Sequence, residues 1–369
     1  MGLERFRKSG GKIDYWMLFL VFALCVFGLL MIYSASAVVS FEQYGINNFY
    51  FKKQLGSLAI GLVAMLIASA IDYRFWQKYA GIFLFIAVLM LLSVFIFSQE
   101  VSGAQRWIKI AGISVQPSEI TKLAFIIYLA AWLAKKKEQI RDFRYGFIPF
   151  AVIISVIGFL IIKQPDMGTL SVIIGVAVIM FYASGASMWH IGLGVAGLIG
   201  VFLILIKSAP YRMQRLLIFL NPDTEKLGAG YHINQALLAI GSGGLWGLGF
   251  GQSKQKYLYL PEPQTDSIIA IATEELGFLR IIIVFAIFTI IALRGYKIAK
   301  NAPDQFASLL AIGITSWIIV QFFINVGAMI GLLPLTGVPL PFVSYGGSSL
   351  IMLLIGVGIL LNISKHSSK

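Results

Sequence analysis

The chain has 369 residues, 59% of them hydrophobic and only 12% charged, with a mean hydropathy of +0.86 and a net charge of +13. That composition excludes a soluble globular domain and indicates a polytopic membrane protein. The positive balance does not indicate nucleic acid, because the basic residues stand mostly at the ends of apolar runs rather than in a stripe with interleaved aromatics.

In chain order, stretches long enough to cross a hydrocarbon core of about 30 Å occur at 15–37, 54–71, 79–97, 118–134, 146–162, 168–184, 189–206, 268–293, 306–332 and 347–362. The eighth could begin as late as Gly277. The spacing therefore predicts an all-α polytopic membrane protein of ten transmembrane helices, a single integral membrane domain over 1–369, with a large extracytoplasmic loop, 207–266, between helices 7 and 8. The first run shows no small-residue cleavage pattern and is expected to stay as an uncleaved helix. It contains Cys25, the single cysteine, which excludes an intrachain disulfide and a thiolate metal site.

Orientation follows from the short loops that hold lysine and arginine. With the N-terminus inside, Arg5, Arg7, Lys8, Lys12, Arg74, Lys78, Lys135, Lys136, Lys137, Arg141, Arg144, Arg294, Lys297, Lys300, Lys365 and Lys369 all fall on the cytoplasmic side. Short outside connections carry fewer, chiefly Lys52, Lys53, Arg106, Lys109 and Lys163. Both termini are then cytoplasmic, which agrees with an even number of spans.

Four segments break the pattern of short loops, and all four fall outside. The first runs from Gly103-Ala104-Gln105-Arg106-Trp107-Ile108-Lys109 to Gln116-Pro117-Ser118-Glu119. Pro117 and Ser118 read as a helix start, with Glu119 in the first turn and Lys122 at the spacing that faces it. This is either a structural ion pair or the rim of a polar cavity, in which Arg106, Lys109 and Lys122 would hold an anion such as pyrophosphate. Arg106 and Trp107 also fit as interfacial anchors.

The second segment, Lys163-Gln164-Pro165-Asp166-Met167-Gly168-Thr169, reads as helix capping around a proline. In the third, the long loop, 231–240 reads as a short helix, followed by a glycine-rich backbone from Gly241 to Gly251. His232, with Asn234 and Gln235 nearby, is a candidate substrate contact. The loop ends in Leu260-Pro261-Glu262-Pro263-Gln264-Thr265-Asp266-Ser267, a rigid strap before a carboxylate. Asp266 could cap the eighth helix, with Glu262, Glu274 and Glu275 as ordinary surface charges. A fixed carboxylate beside lipid is also a functional-site hypothesis and suits a general base.

The fourth segment, Asn325 to Ser349, holds Gly337-Val338-Pro339-Leu340-Pro341-Phe342-Val343-Ser344-Tyr345-Gly346-Gly347-Ser348-Ser349. It is either a rigid turn with small residues for close packing or a broken helix lining a cavity, in which Ser344 and Tyr345 would meet a ligand. Three scattered histidines give no metal-ligand spacing, and no GxxxxGK[ST] loop is present, so the chemistry must draw on an already activated substrate or an ion gradient.

These motifs, with Tyr33-Ser34-Ala35-Ser36, Gly241-Ser242-Gly243-Gly244 and Glu274-Glu275-Leu276-Gly277, resemble in order and over nearly the whole chain the SEDS family (shape, elongation, division and sporulation). Its members are bacterial peptidoglycan glycosyltransferases, with a RodA elongation branch and an FtsW division branch. The resemblance implies an enzyme that polymerises lipid II at the outer face of the cytoplasmic membrane beside a class B penicillin-binding protein transpeptidase. It matches Asp266 to the family's essential aspartate, and Arg106, Trp107, Glu119 and Lys122 to its cavity. Two positions depart from the pattern: Gln264 stands where histidine is frequent and Ser267 where phenylalanine is frequent. The 221–230 stretch and the 257–263 run look more like the division branch, whereas 337–341 looks more like the elongation branch.

The mechanism expected on that basis is inverting sugar transfer. Asp266 takes the proton from the 4-hydroxyl of lipid II while that oxygen attacks the anomeric carbon at the end of the nascent glycan strand, and undecaprenyl pyrophosphate leaves. Arg106, Lys109 and Lys122 are the candidates to meet the departing charge, with Glu119 orienting Lys122. A magnesium or manganese ion associated with the substrate pyrophosphate stays open, although no carboxylate cage is preassembled in the sequence. The rival readings are a lipid-linked precursor transporter, or flippase, and a catalytically silent scaffold for the transpeptidase.

Overall fold

A computed structural model describes residues 12–367 apart from 98, 102–103, 111–112, 137–138, 208–212, 215–216 and 220–227. In order, its elements are α1 (Tyr15–Tyr44), α2 (Phe49–Ala70), the short α3 (Tyr73–Lys78) and α4 (Ala80–Phe97), then three strands, β1 (Gln99–Val101), β2 (Ala104–Ile110) and β3 (Ile113–Val115). After them come α5 (Pro117–Lys135), a π-turn (Phe143–Phe147) that runs into α6 (Ile148–Lys163), α7 (Met167–Ala183), α8 (Met188–Lys207) and α9 (Ala229–Gly243). The chain closes with α10 (Ile268–Leu276), α11 (Phe278–Lys300), α12 (Gln305–Met329) and α13 (Gly347–His366). Among the described residues, eight helical units are long and apolar enough to cross a membrane, and α7 and α8 stand as shorter apolar helices at the sixth and seventh predicted spans.

The bundle has an inside and a rim. In α5, α12 and α13, 72% of the apolar window is buried, against 22–28% in α2, α4 and α11. The rim helices expose residues such as Ile60, Val63, Phe85, Ile283 and Leu293, which suits contact with acyl chains. Small residues bring helices close without a hydrophobic driving force between them. A Cβ at Gly358 of α13 would strike the Met65 carbonyl of α2.

Two findings differ from the sequence expectation. The first is a small antiparallel sheet, order β1-β2-β3, where an all-α chain was expected. Ile108, Ile110, Ile113 and Val115 are β-branched, and the β2-β3 pairing sets Ile108 opposite Val115. The run is too short to compete with the helical pattern around it, so the sequence hides it. The second is at the eighth span, which begins at Phe278, next to the late limit of Gly277 that the sequence allowed rather than at 268, because 268–276 forms a separate buried helix, α10.

The break between α10 and α11 is satisfied by the glycine-rich segment beside it. Leu248 N and Gly249 N donate to the Glu274 and Glu275 carbonyls, each at 2.9 Å, while Phe278 N and Leu279 N donate to the Gly244 and Leu245 carbonyls at 2.9 and 3.2 Å. The orphan groups of two helix ends are thereby paired away from lipid. Gly277 holds φ 81 and ψ 166, a region essentially restricted to glycine. A Cβ there would also strike the Gly247 amide nitrogen. Gly277→Ala should therefore cost at least about 1–3 kcal/mol from the backbone alone. A thermal melt of the detergent-purified protein checks this, and an unchanged midpoint would count against the tight junction.

Polar contacts gather the connections at the two ends of the bundle. At one end Asp14 pairs with Arg294 at 3.6 Å, and Tyr73 Oη donates to Asp304 Oδ2 at 2.7 Å. The opposite end holds described parts of the four long segments singled out above. Gln116 N donates to Ser348 Oγ at 3.2 Å, Tyr345 N to the Gln264 carbonyl at 2.8 Å, and Arg106 Nε to the Gln164 carbonyl at 3.1 Å.

Candidate functional site

The hub of this end is the strap 336–348, which joins α12 to α13. Its prolines and glycines prevent a regular helix, so its carbonyls need outside donors, and α12 supplies two of them. Gln321 and Asn325 lie four residues apart, on one helix face. Gln321 Nε2 donates to the Pro339 carbonyl at 2.9 Å. Asn325 Nδ2 lies 2.8 Å from both the Val338 carbonyl and the Asp266 carbonyl. From α2, Gln54 Nε2 donates to the Ser344 carbonyl and its Oε1 accepts from Gly346 N, both at 3.2 Å. Sequence reasoning missed all three amides. For Gln321 and Asn325 the available signal was an uncharged polar side chain inside an otherwise apolar span; Gln54 follows Lys52 and Lys53 and carries no such contrast.

Asp266 sits against this strap, one residue before the buried Ser267 that caps α10. The side chain is partly buried, and Thr265 Oγ1 lies 3.2 Å from its Oδ1. Burial pushes the Asp266 carboxyl up to about 6, against the downward pull of its own backbone amide, Thr265 and the Ser267 amide. The physical cause is desolvation of the charged form. A carboxylate that titrates near neutrality is matched to proton transfer.

Glu119 and Lys122 form the expected i,i+3 pair, Nζ to Oε1 at 2.8 Å, with both side chains only 2% exposed. Lys122 Nζ also donates to Gln321 Oε1 at 3.0 Å, and Trp317 Nε1 donates to the same oxygen at 2.8 Å. The Lys122 ammonium further lies 5.4 Å from the Trp317 ring centroid. Lys122 is thus fully engaged inside the bundle and reaches the strap through Gln321. Around it the structure places Glu119, Gln321 and Trp317.

Arg106 docks the sheet onto the corner between α6 and α7. Its guanidinium donates to the Pro165 carbonyl as well as to Gln164, and Nη1 lies 3.9 Å from Asp166 Oδ1. Asp166 caps α7 by accepting from Thr169 N at 3.1 Å, as its sequence position suggested. Trp107 is half-buried on β2. Lys109 pairs with Ser114 through the backbone, and its side chain lies outside the described residues.

Ser344 is buried, and its Oγ accepts from Leu340 N at 2.8 Å, so its hydroxyl shapes the strap. Tyr345 is half-buried, its ring edge-on to Tyr50 at 4.9 Å. His232 reaches Ser267 Oγ through Nε2 at 2.7 Å.

Several buried oxygens at this end have no hydrogen-bond partner among the described residues: Glu119 Oε2, Gln264 Oε1, Asn325 Oδ1, Thr336 Oγ1 and Ser349 Oγ. They are acceptors with spare capacity. Among the described residues no three His, Cys, Asp or Glu side chains converge to hold a metal ion. A divalent ion would then take most of its ligands from substrate phosphates.

Glu274 and Glu275, read from the sequence as ordinary surface charges, are 1% and 0% exposed. Glu275 Oε1 accepts from Lys256 Nζ at 3.1 Å and from Ser34 Oγ at 2.6 Å. Glu274 gathers Ser253 Oγ and the amides of Lys254 and Gln255. The correction has a plain cause: a helix of nine residues at the end of a long loop lies under that loop.

The chain is similar to known proteins over nearly its whole length. A family model described as a cell cycle protein of the FtsW, RodA and SpoVE type matches residues 15–369. The chain is 43% identical over 357 residues to the stage V sporulation protein E of Bacillus subtilis (strain 168), covering 96% of this chain and 97% of that one. It is 42% identical over 361 residues to a probable peptidoglycan glycosyltransferase FtsW of Geobacter metallireducens, covering 97% and 96%. Two solved structures share the fold. One comes from work on the coordination of polymerization and crosslinking by a peptidoglycan synthase complex, with a TM-score of 0.77 at 23% identity over 95% of this chain and 97% of that one. The other is the Thermus thermophilus rod shape determining protein RodA, with a TM-score of 0.72 at 24% identity over 97% and 98%.

Proposed function

Because the chain belongs to the FtsW, RodA and SpoVE family, we propose that it is a peptidoglycan glycosyltransferase that polymerises lipid II into glycan strands, with Asp266 as the general base. The observation that carries this reading is a partly buried carboxylate whose carbonyl is held by Asn325 beside the strap, and whose pKa burial raises to about 6. In the transfer, Asp266 accepts the proton of the lipid II 4-hydroxyl as that oxygen forms the new glycosidic bond at the anomeric carbon of the strand. The bond to undecaprenyl pyrophosphate breaks in the same step, with inversion. One base within about 3 Å of the hydroxyl suffices, since no covalent sugar intermediate forms.

Charge gathers on the departing pyrophosphate and calls for cations. Arg106 and Lys109 serve there. Lys122, closed in by Glu119, Gln321 and Trp317, acts on the strap instead. The chain is one integral membrane domain with both termini cytoplasmic, and 207–266 is its large outer loop. The site then opens outside, where a polyprenyl-linked sugar stays anchored in the bilayer. A class B penicillin-binding protein crosslinks the product, a pairing supported by the similarity to a chain of a peptidoglycan synthase complex.

The purified chain given lipid II in detergent should produce glycan polymer resolvable on a gel, and a muramidase should digest it. Movement of labelled lipid II across liposomes without polymer would select a transporter. Neither outcome would leave a scaffold.

A further inference from the structure

The turn that carries Asp266 is gripped from three sides. Asn325 holds the Asp266 carbonyl from α12, and Tyr345 N holds the Gln264 carbonyl from the strap. The third grip comes from α9, where His232 stands in the first turn with Nε2 at 2.7 Å from Ser267 Oγ.

Ser267 is 0% exposed, and its Oγ also lies 2.9 Å from the Pro261 carbonyl. A hydroxyl has one hydrogen and a carbonyl can only accept, so that hydrogen goes to Pro261. The remaining lone pair of Oγ must receive a hydrogen from His232. This fixes the imidazole with its proton on Nε2. The Ser267 to Pro261 bond staples the two ends of a turn whose interior is closed by Thr265 N donating to the Glu262 carbonyl at 3.2 Å. Glu262 stands at φ 48, a left-handed conformation that a non-glycine residue keeps only under constraint. Asp266 is the residue immediately before the staple.

We propose that His232 is a positioning residue for the transfer: by donating to Ser267 it holds the 261–267 turn in the shape that presents the Asp266 carboxylate. The inference rests on Asp266 being the base. It changes the role expected of His232 from substrate contact to support. Burial lowers the imidazole pKa, and the facing Glu262 carboxylate opposes that with a smaller effect, which agrees with a neutral ring.

The test uses the full chain in lipid nanodiscs with lipid II as substrate. His232→Leu and Ser267→Ala should each lower kcat about tenfold with KM within about twofold, the pattern of an interaction realised in the transition state. The double variant should be no slower than the worse single one, because both break the same contact. His232→Gln, which restores a donor without a titrating ring, should recover kcat to within about threefold of wild type. Should His232→Leu fail to accumulate, Ser267→Ala and His232→Gln carry the comparison.

Wild-type kcat in His232→Leu, losses that multiply to about a hundredfold in the double variant, or a raised KM at unchanged kcat would each overturn the clasp. Asp266→Asn assayed alongside separates the two ideas. An active Asp266→Asn removes the base itself, whereas an inert Asp266→Asn beside a fully active His232→Leu removes the clasp alone.

Discussion

Asp266→Asn should lower the rate of lipid II polymerisation by a factor of about 10²–10⁴, the range lost when a positioned base is removed. Asparagine keeps the shape and the Thr265 contact but cannot take up a proton. The same reading fixes the pH dependence of the wild type. The base must be ionised, and burial sets its pKa at about 6, so the rate should fall about tenfold for each unit below that value and level off above it.

Stability should move the other way. The folded carboxyl holds its proton up to about pH 6, whereas in the unfolded chain it releases it at lower pH. The stability gained from that retained proton is present at low pH and is lost as pH rises through 6. Above pH 6 the charged Asp266 therefore weakens the fold, and Asp266→Asn should melt higher than the wild type there. Loss of activity with a raised melting point is a combination that misfolding cannot produce. Retained polymerisation would dismiss Asp266 as the base, and a pH profile without the acid limb would dismiss its raised pKa.

What the sequence reveals of this site depends on whether each residue announces itself locally. Asp266 and the paired prolines beside it stand out because a carboxylate in an apolar chain is costly. The i,i+3 spacing of Glu119 and Lys122 predicts their bond, and Pro165 with Asp166 marks a helix start that the structure repeats. Periodicity gives the helices because each span is long, whereas strands of 3 and 7 residues leave no comparable trace.

Gln321, Asn325 and Gln54 escape for a different reason. Gln321 and Asn325 are polar residues in a long apolar run and Gln54 follows two lysines at the start of one, and the meaning of each lies in a partner 13 to 290 positions away. The surroundings of Lys122 are hidden on the same grounds. Its charge is visible in the sequence, while Gln321 and Trp317, which close it in, belong to another helix.

The glutamates of α10 lead to the second large effect, because the fold depends on a charge that looked dispensable. Glu275 is 0% exposed and accepts from Lys256, Ser34 and the Ser253 amide, while Lys256 Nζ also donates to the Gly251 carbonyl at 2.6 Å. Residues 251–256 are thus wound around two buried carboxylates, and the chain runs from there directly into the turn that ends at Asp266. Lys256→Met removes the cation and leaves Glu275 buried and uncompensated, which should cost about 3–5 kcal/mol. Adding Glu275→Gln removes the stranded charge while keeping an acceptor for Ser34, so the double variant should recover more than half of that loss.

Salt should matter little, since a pair this deeply buried is poorly screened. Melting of the purified proteins reads the stability, and hydrogen exchange over 251–266 reads the loop itself. Faster exchange there in Lys256→Met, reversed in the double variant, is the expected result. A single variant as stable as the wild type, or a double variant worse than the single, would mean that the ion pair does not hold the loop. The position of Asp266 would then rest on α12, the strap and α9 alone.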